Sequence, residues 1–370
     1  MRILITNCAL RGRSGTEIVT MEMAVGLQRR GHEIAILSPL LGPSADQMRL
    51  AGIFVTDTVE QIPWTPHVIH GHHNHVFAAA LCWFPSTPAL FVCHSSQFWF
   101  DGPFLIDRVK RVFAVDEACR DRLIKGAVGN KGAVELLLNA IDLDCFLPRC
   151  PLPLVPRRAL VLTKNVGHID LIRQAAFSTS LQLDEINVAT GPAIENLSDC
   201  LTQYDIVFAT ARMALEALAV GCAVVVVDGR GLAGMVTSSN VDRWRRNNFG
   251  IRLLDETPTV ASLIREISLY DPVDAANVAR HIRKIASLSE YLDKVEEAHT
   301  QIAGQGSATA ADLAQIGIFI SMWLRRLGEG IIPENFDSLI AANEFSRIHE
   351  AVVKRKQSAQ SGAFRDERRS

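Results

Sequence analysis

Close cysteine pairs are missing from this chain: Cys8, Cys82, Cys93, Cys119, Cys145, Cys150, Cys200 and Cys222 form no Cys-x-x-Cys and no framework spacing. That excludes a disulfide-stapled miniature fold and a zinc ribbon, and cysteines set in apolar runs behave as small hydrophobes. A reducing, cytoplasmic compartment is expected. Charge imbalance is missing too, with 38 Lys and Arg against 40 Asp and Glu. A net charge of −2 sets up no long-range field, and no nucleic-acid partner is expected. Long apolar runs are also absent. The nearest, "LAQIGIFISMWLRRLG" (313–328), is ended by Arg325 and Arg326 before the roughly 20 apolar residues that cross a bilayer. It reads as a packed amphipathic helix, with a peripheral membrane contact as the other option. "MRILITNCALRGRSG" places its arginines after its apolar run, the reverse of a secretion signal.

What is present is an ordinary globular composition, 48% apolar and 21% charged over 370 residues, with room for two hydrophobic cores. "RILIT" and "EIAILS" read as strands, and residues 16–30 between them carry helical spacing that closes at Gly31 behind cationic residues. "HVIH", "ALFVC", "RVFAV" and "AVELLL" continue the strand pattern, with a helix over 117–125. The proline cluster "FLPRCPLPLVPRRA" (146–159) interrupts it as a linker. The alternation then restarts with "RALVL", "EINVA", "DIVFA" and "CAVVVVD", separated by helical stretches. Strands alternating with helices imply βαβ units and parallel sheets covered on both faces. From Pro258 onward the patterns are helical. We read 1–147 as an amino-terminal Rossmann-like domain, 148–157 as linker, 158–300 as a second such domain, 301–355 as terminal helices and 356–370 as a disordered polar tail.

"ARMALEALAVGCAVVVVDGRGLAG" (211–234) places one glutamate, Glu216, in a nearly apolar helix that should stop at Gly221. A buried strand follows, then a glycine-rich turn. Gly229, Gly231 and Gly234 would let backbone N–H groups approach a phosphate, with a helix amino terminus expected near Met235. Two readings of Glu216 stay open: a carboxylate for the hydroxyls of a ribose, or a salt-bridge partner of Arg212 four residues earlier. "HGHHNH" (70–75) offers three readings: a metal site, a polar cleft edge toward an acceptor, or ordinary loop histidines. Alternate strand residues face opposite ways, so His70 and His72 share a face that His73 does not. No metal is assigned.

The run Leu-Glu-Ala-Leu-Ala-Val-Gly before a strand resembles the donor-binding signature of retaining family 4 nucleotide-sugar glycosyltransferases. Other pieces follow in that family's order: "GRSGTEIVTMEMAVGLQRRGHEIAIL", "HVIHGHH", "ALFVCHSS" and "LLLNAIDLDCFLPR". The resemblance implies the GT-B fold, two Rossmann-like doubly wound α/β domains facing a cleft, here with a helical carboxyl-terminal extension. It implies that Glu216 binds the donor ribose and that Gly12, Arg13, Ser14 and Gly15 lie against donor phosphate and acceptor. It places His94 near the transferred sugar and Gly229, Arg230, Gly231 and Leu232 at the sugar and pyrophosphate. A second family glutamate, eight positions before Glu216, is Phe208 here. The usual Gly-Arg and Lys-Gly of the first loop in the second domain are replaced by "LTKNVGHIDLI", and the last loop has no glutamate. Lys164 is the natural substitute cation, with Arg212 and Arg230 as further ones.

The implied activity moves a sugar from a nucleoside diphosphate sugar to a saccharide or related hydroxyl acceptor, in glycan or polysaccharide biosynthesis, with no metal or other cofactor. An inactive homologue that binds sugar nucleotides or acts as a scaffold is the alternative, and an epimerase of the same fold is a third reading.

Overall fold

Runs rich in Val, Ile and Leu form the strands, and their burial follows from helices on both faces of each sheet. The structure, a computed structural model, describes residues 1–12, 14–102, 106–125, 134–187, 196–305 and 310–328. The first sheet contains β1 (Arg2–Thr6), β2 (Glu33–Leu37), β3 (Phe54–Thr56), β4 (Val68–His72), β5 (Ala89–Cys93), β6 (Val109–Ala114) and β7 (Glu135–Leu136). All its pairings are parallel, in the order β3-β2-β1-β4-β5-β6-β7. The order reverses between β1 and β4, which opens a crevice at their carboxyl ends. Helices α1 (Gly15–Arg29), α2 (Pro43–Leu50), α3 (Asn74–Trp83) and α4 (Glu117–Lys125) connect these strands.

The second sheet contains β8 (Arg158–Thr163), β9 (Gln182–Asn187), β10 (Ile206–Ala209), β11 (Ala223–Asp228) and β12 (Gly231–Met235), ordered β12-β11-β10-β8-β9. Its switch point lies between β8 and β10, where α5 (Ile169–Ser178) and α7 (Ala211–Val220) begin. Side-chain alternation along β10 feeds two apolar layers. Val207 and Ala209 join one, Ile206 and Phe208 the other. Gly221, at φ 105, ends α7 in the left-handed conformation that glycine tolerates.

β12 corrects the expected helix amino terminus near Met235. The segment instead turns back on β11 as an antiparallel strand, and the next helix, α8, starts at Val241. α6 (Leu197–Leu201), α9 (Val260–Ser268) and α10 (Pro272–Ile285) complete this half.

Helix α11 (Leu288–Ile302) departs from the 158–300 range read for the second domain. Its Tyr291, Leu292, Val295, Ala298 and Ile302 are buried in the first core. Beside it α12 (Ala310–Gly328) adds Ile316 and Phe319. The two crossings between halves are hydrogen-bonded to each other: Ile141 N–H donates to Ala286 O at 2.8 Å, and Leu288 N–H to Ile141 O at 2.9 Å. The 356–370 tail and the helix expected over 342–354 lie outside the described residues.

Gly71, between two histidines of β4, faces the ring of Phe77, where an added Cβ would lie 2.3 Å from a ring carbon. Gly71→Ala is expected to lower stability by about 1–3 kcal/mol through overpacking, measured by urea unfolding.

Candidate functional site

The loop after β1 is organised by one carboxylate. Ser14 caps α1, and Glu17 returns the bond, forming a capping box. Glu17 also accepts from the N–H groups of Arg11 at 2.6 Å, Gly12 at 2.8 Å and Ser14 at 2.7 Å. Burial opposes its ionisation, yet the donors from Gly12, Ser14 and Arg11 hold the carboxyl below its ordinary range. The amides of Gly12 and Ser14 are therefore committed to Glu17. Gly15 opens the helix, and Arg13 lies outside the described residues.

Beside this loop stands a group of histidines. His70 and His72 share a face of β4, with ring centroids 4.8 Å apart. Their partners come from distant segments: His70 Nδ1 lies 2.9 Å from His299 Nε2 on α11, and His72 Nδ1 lies 2.5 Å from His94 Nε2 just past β5. His73, at φ 60, accepts the Cys8 N–H at Nδ1, and its Nε2 lies 4.0 Å from Asp101. His75 packs against Trp99 and Trp323. These are not ordinary loop histidines. His70 and His72 are strand residues, sealed in because β5 and α11 cover them. Burial, reinforced by neighbouring imidazoles, pushes His70, His72 and His73 well below the usual range. Burial alone takes His75 and His94 down to about 4. Asp101 goes the other way, raised by burial to about 7 despite the His94 N–H and Arg122.

In the second half, α7 follows β10 after one residue, Thr210. That connection leaves no loop to carry a second acid, and Phe208 is a fully buried core residue of β10 rather than a site residue. Glu216 is buried at 4% exposure, so the surface version of its salt bridge is excluded while the bridge itself exists. Arg212 Nε donates to Glu216 at 2.8 Å, Nη1 to Ala140 O at 3.1 Å and Nη2 to Glu22 of α1. This guanidinium is committed on every side, which makes it a poor candidate for a phosphate. Burial raises Glu22 to about 7, with Arg212 pulling down and Glu216 pushing up.

Arg230 folds back on Asp228, its Nε 3.0 Å from Oδ2, and its N–H donates to Asp228 Oδ1 at 2.8 Å. The Leu232 N–H donates to Glu256 O at 2.7 Å. Gly231 sits against Leu254, where an added Cβ would lie 2.6 Å from the carbonyl oxygen. The glycine-rich segment is thus a filled hairpin. Gly229 alone of the four faces the loop after β8, within 4.0 Å of Asn165, Gly167 and His168 from a built Cβ.

Lys164 differs from both arginines. It follows β8 at the switch point, is exposed, and makes no hydrogen bond or ion pair among the described residues. Its surroundings lower its ammonium by desolvation, while Glu17 of the first half and Glu216 of the second pull it back up. Beyond it a cavity of about 630 Å³ opens at the ends of β8 and β9, lined by Thr163, Gly167, Asp170, Arg173, Glu185 and Asn187.

Several residues escaped the sequence reading. Glu22 was signalled only as a polar residue inside "TMEMAVG", and Asp101 by nothing. Arg245 is 3% exposed, bonds Asn139 O through Nη2, and leaves Nε and Nη1 buried with no partner among the described residues. His168, at the start of α5, likewise has both ring nitrogens buried with no partner among them.

Two expectations follow. The folded pKa values of His70, His72, His73, His75, His94 and His299 lie below the ordinary 6.5, so the unfolded chain takes up protons first. Their stabilisation is complete above pH 6.5 and is lost as pH falls toward 4, by up to about 1.4 kcal/mol per pH unit for each histidine. Glu22 and Asp101, both raised, work in the opposite sense but are outnumbered. Urea midpoints should therefore fall from pH 6.5 to 4. Separately, Arg212→Met leaves Glu22 and Glu216 buried without their shared cation, and should cost about 3–5 kcal/mol in the same assay at pH 8.

The comparisons with known proteins agree with this architecture. The description Glycosyltransferase Family 4 matches residues 13–145. A glycosyltransferase from Rickettsia africae superposes with a TM-score of 0.58 at 13% identity, covering 82% of this chain and 98% of that one. Anabaena HepE, solved with UDP and glucose, gives 0.53 at 13% identity, covering 80% and 99%. A putative UDP-N-acetylglucosamine 2-epimerase from Listeria monocytogenes gives 0.51 at 12% identity, covering 83% and 98%. No curated protein matches the sequence. The chain has the GT-B glycosyltransferase fold, and its amino-terminal half resembles Glycosyltransferase Family 4.

Proposed function

We propose that this protein transfers a sugar from a nucleoside diphosphate sugar to a hydroxyl of a saccharide or related acceptor. The observation that carries the reading is Lys164, a cation at the β8–β10 switch point with no ion-pair partner among the described residues, which senses Glu17 from one half and Glu216 from the other. A leaving nucleoside diphosphate accumulates negative charge, and an ammonium already in place stabilises it without reorganisation. Arg212 and Arg230 do not share this task, because carboxylates hold both. Glu216, oriented by Arg212, takes the ribose hydroxyls, and Gly229 lets the backbone approach the diphosphate. His94 contacts the transferred sugar. The Anabaena relative binds UDP and glucose, which supports a nucleotide sugar as donor.

The family resemblance implies retention of configuration, with the leaving phosphate assisting the attacking hydroxyl, and a role in polysaccharide biosynthesis. No described helix is long and apolar enough to cross a membrane, so a lipid-linked acceptor would be met through peripheral contact. A binding protein without turnover is the second reading, favoured by the missing acid at the β10–α7 connection.

Calorimetric titration with UDP, GDP, ADP and dTDP tests the proposal, followed by assays of donor hydrolysis and epimerisation. One diphosphate should bind, and Lys164→Met should weaken it about tenfold or more while leaving the thermal midpoint in place, because Lys164 has no folded-state hydrogen bond to lose. Absence of binding at millimolar nucleotide sinks the reading. Binding without transfer or hydrolysis selects the second one.

A further inference from the structure

We propose that His72 is a positioning residue that locks the tautomer of His94, so that His94 presents an Nδ1–H donor to the cleft. The inference rests on His94 as a cleft residue and deepens the proposed function by assigning the direction of its hydrogen bond.

The geometry of the pair is over-determined. The Thr6 hydroxyl of β1 donates to His72 O at 2.9 Å and accepts the His72 N–H at 3.1 Å, pinning the backbone on both sides. On the other flank His72 is in register with Val92 of β5, two residues before His94. The Asp101 carboxylate accepts the His94 N–H at 3.3 Å and holds the far end. The rings then meet with centroids 4.6 Å apart and His72 Nδ1 2.5 Å from His94 Nε2. At that distance one of the two nitrogens donates and the other accepts.

Which one donates follows from the remaining nitrogens. His72 Nε2 is buried with no partner among the described residues, as is Nε2 of the nearby His70. If His72 carried its proton on Nε2, an N–H would be buried with no acceptor, the rarest defect in folded proteins. With the proton on Nδ1, His72 donates to His94 Nε2 and leaves only a lone pair unpaired. A neutral His94 that accepts at Nε2 must carry its own proton on Nδ1. His94 stays neutral at pH 7, since burial keeps its pKa near 4. His94 is half-buried, and its Nδ1 has no hydrogen-bond partner among the described residues. An N–H at that point seeks an oxygen, so His94 donates to an oxygen of the sugar nucleotide instead of removing a proton from the acceptor.

His73 supplies an internal contrast. Its Nδ1 accepts the Cys8 N–H at 3.0 Å, which puts its proton on Nε2. The two adjacent histidines therefore have opposite tautomers.

Long-range proton–nitrogen correlation on the full, nitrogen-15-labelled chain tests this directly. His94 should show a protonated Nδ1 and a bare Nε2, with His73 reversed. A wild-type His94 protonated on Nε2 overturns the proposal, whatever the activity assays show. In His72→Phe the His94 proton should shift toward Nε2 and kcat for transfer fall at least about tenfold, with little change in KM for the donor. His72→Asn, whose amide can donate from the Nδ1 position, should restore both. If both variants lose activity equally with the His94 tautomer unchanged, His72 serves packing alone and the proposal fails. If the wild-type protein transfers no sugar, the spectrum still decides the tautomer, and the functional reading fails separately.

Discussion

The buried guanidinium of Arg212 joins the two halves of the molecule. It reaches from α7 to Glu22 on α1, to Glu216 one turn along its own helix, and to the carbonyl of Ala140 where the chain leaves the first sheet. Two carboxylates around one cation, Glu216 buried and Glu22 half-buried, would be unfavourable if both were fully ionised. Burial resolves this by raising Glu22 to about 7, so that the triad sheds part of its excess negative charge. A buried cluster of this kind adds little net stability over an apolar one but tolerates no missing member. The exposed pairs at the rim, Arg246 with Glu117 and Arg252 with Asp121, contribute far less because solvent screens them.

The same economy of polar groups shapes the first half. Around the ends of β4 and β5 stand histidines kept neutral by burial, of which His70 pairs with His299 and His72 with His94. Neutral imidazoles are directional hydrogen-bonding groups without charge, suited to contacting a sugar whose own oxygens are neutral. On the second half Lys164 is exposed, whereas Arg245 is buried with two N–H groups that have no partner among the described residues.

Much of the fold was legible in residue order. "RILIT", "ALFVC" and "CAVVVVD" lie on strands within a residue or two of their reading, and α1, α4, α5 and α7 follow the helical patterns closely, because period and capping are local properties. The site was less legible. Gly231 and Leu232 read as part of a glycine-rich turn, yet glycines serve a tight hairpin equally well, and here they pair with β11 and pack against Leu254 and Glu256. Counting back eight positions from Glu216 reached Phe208, but the short β10–α7 connection puts that position inside the sheet.

Sequence by itself determined the two-sheet α/β architecture and the helix carrying Glu216, since each depends on neighbours within a turn or a strand. Tertiary structure decided which polar groups are free. Arg212 and Lys164 looked equivalent as cations along the chain. One is enclosed by Glu22, which is 190 residues away, and the other is left open at a strand end. Likewise His72 found its partner 22 residues on, across a parallel strand pair, and His70 found His299 on a helix returning from beyond the second sheet. Such pairings depend on how layers stack, and no local period in the sequence records that.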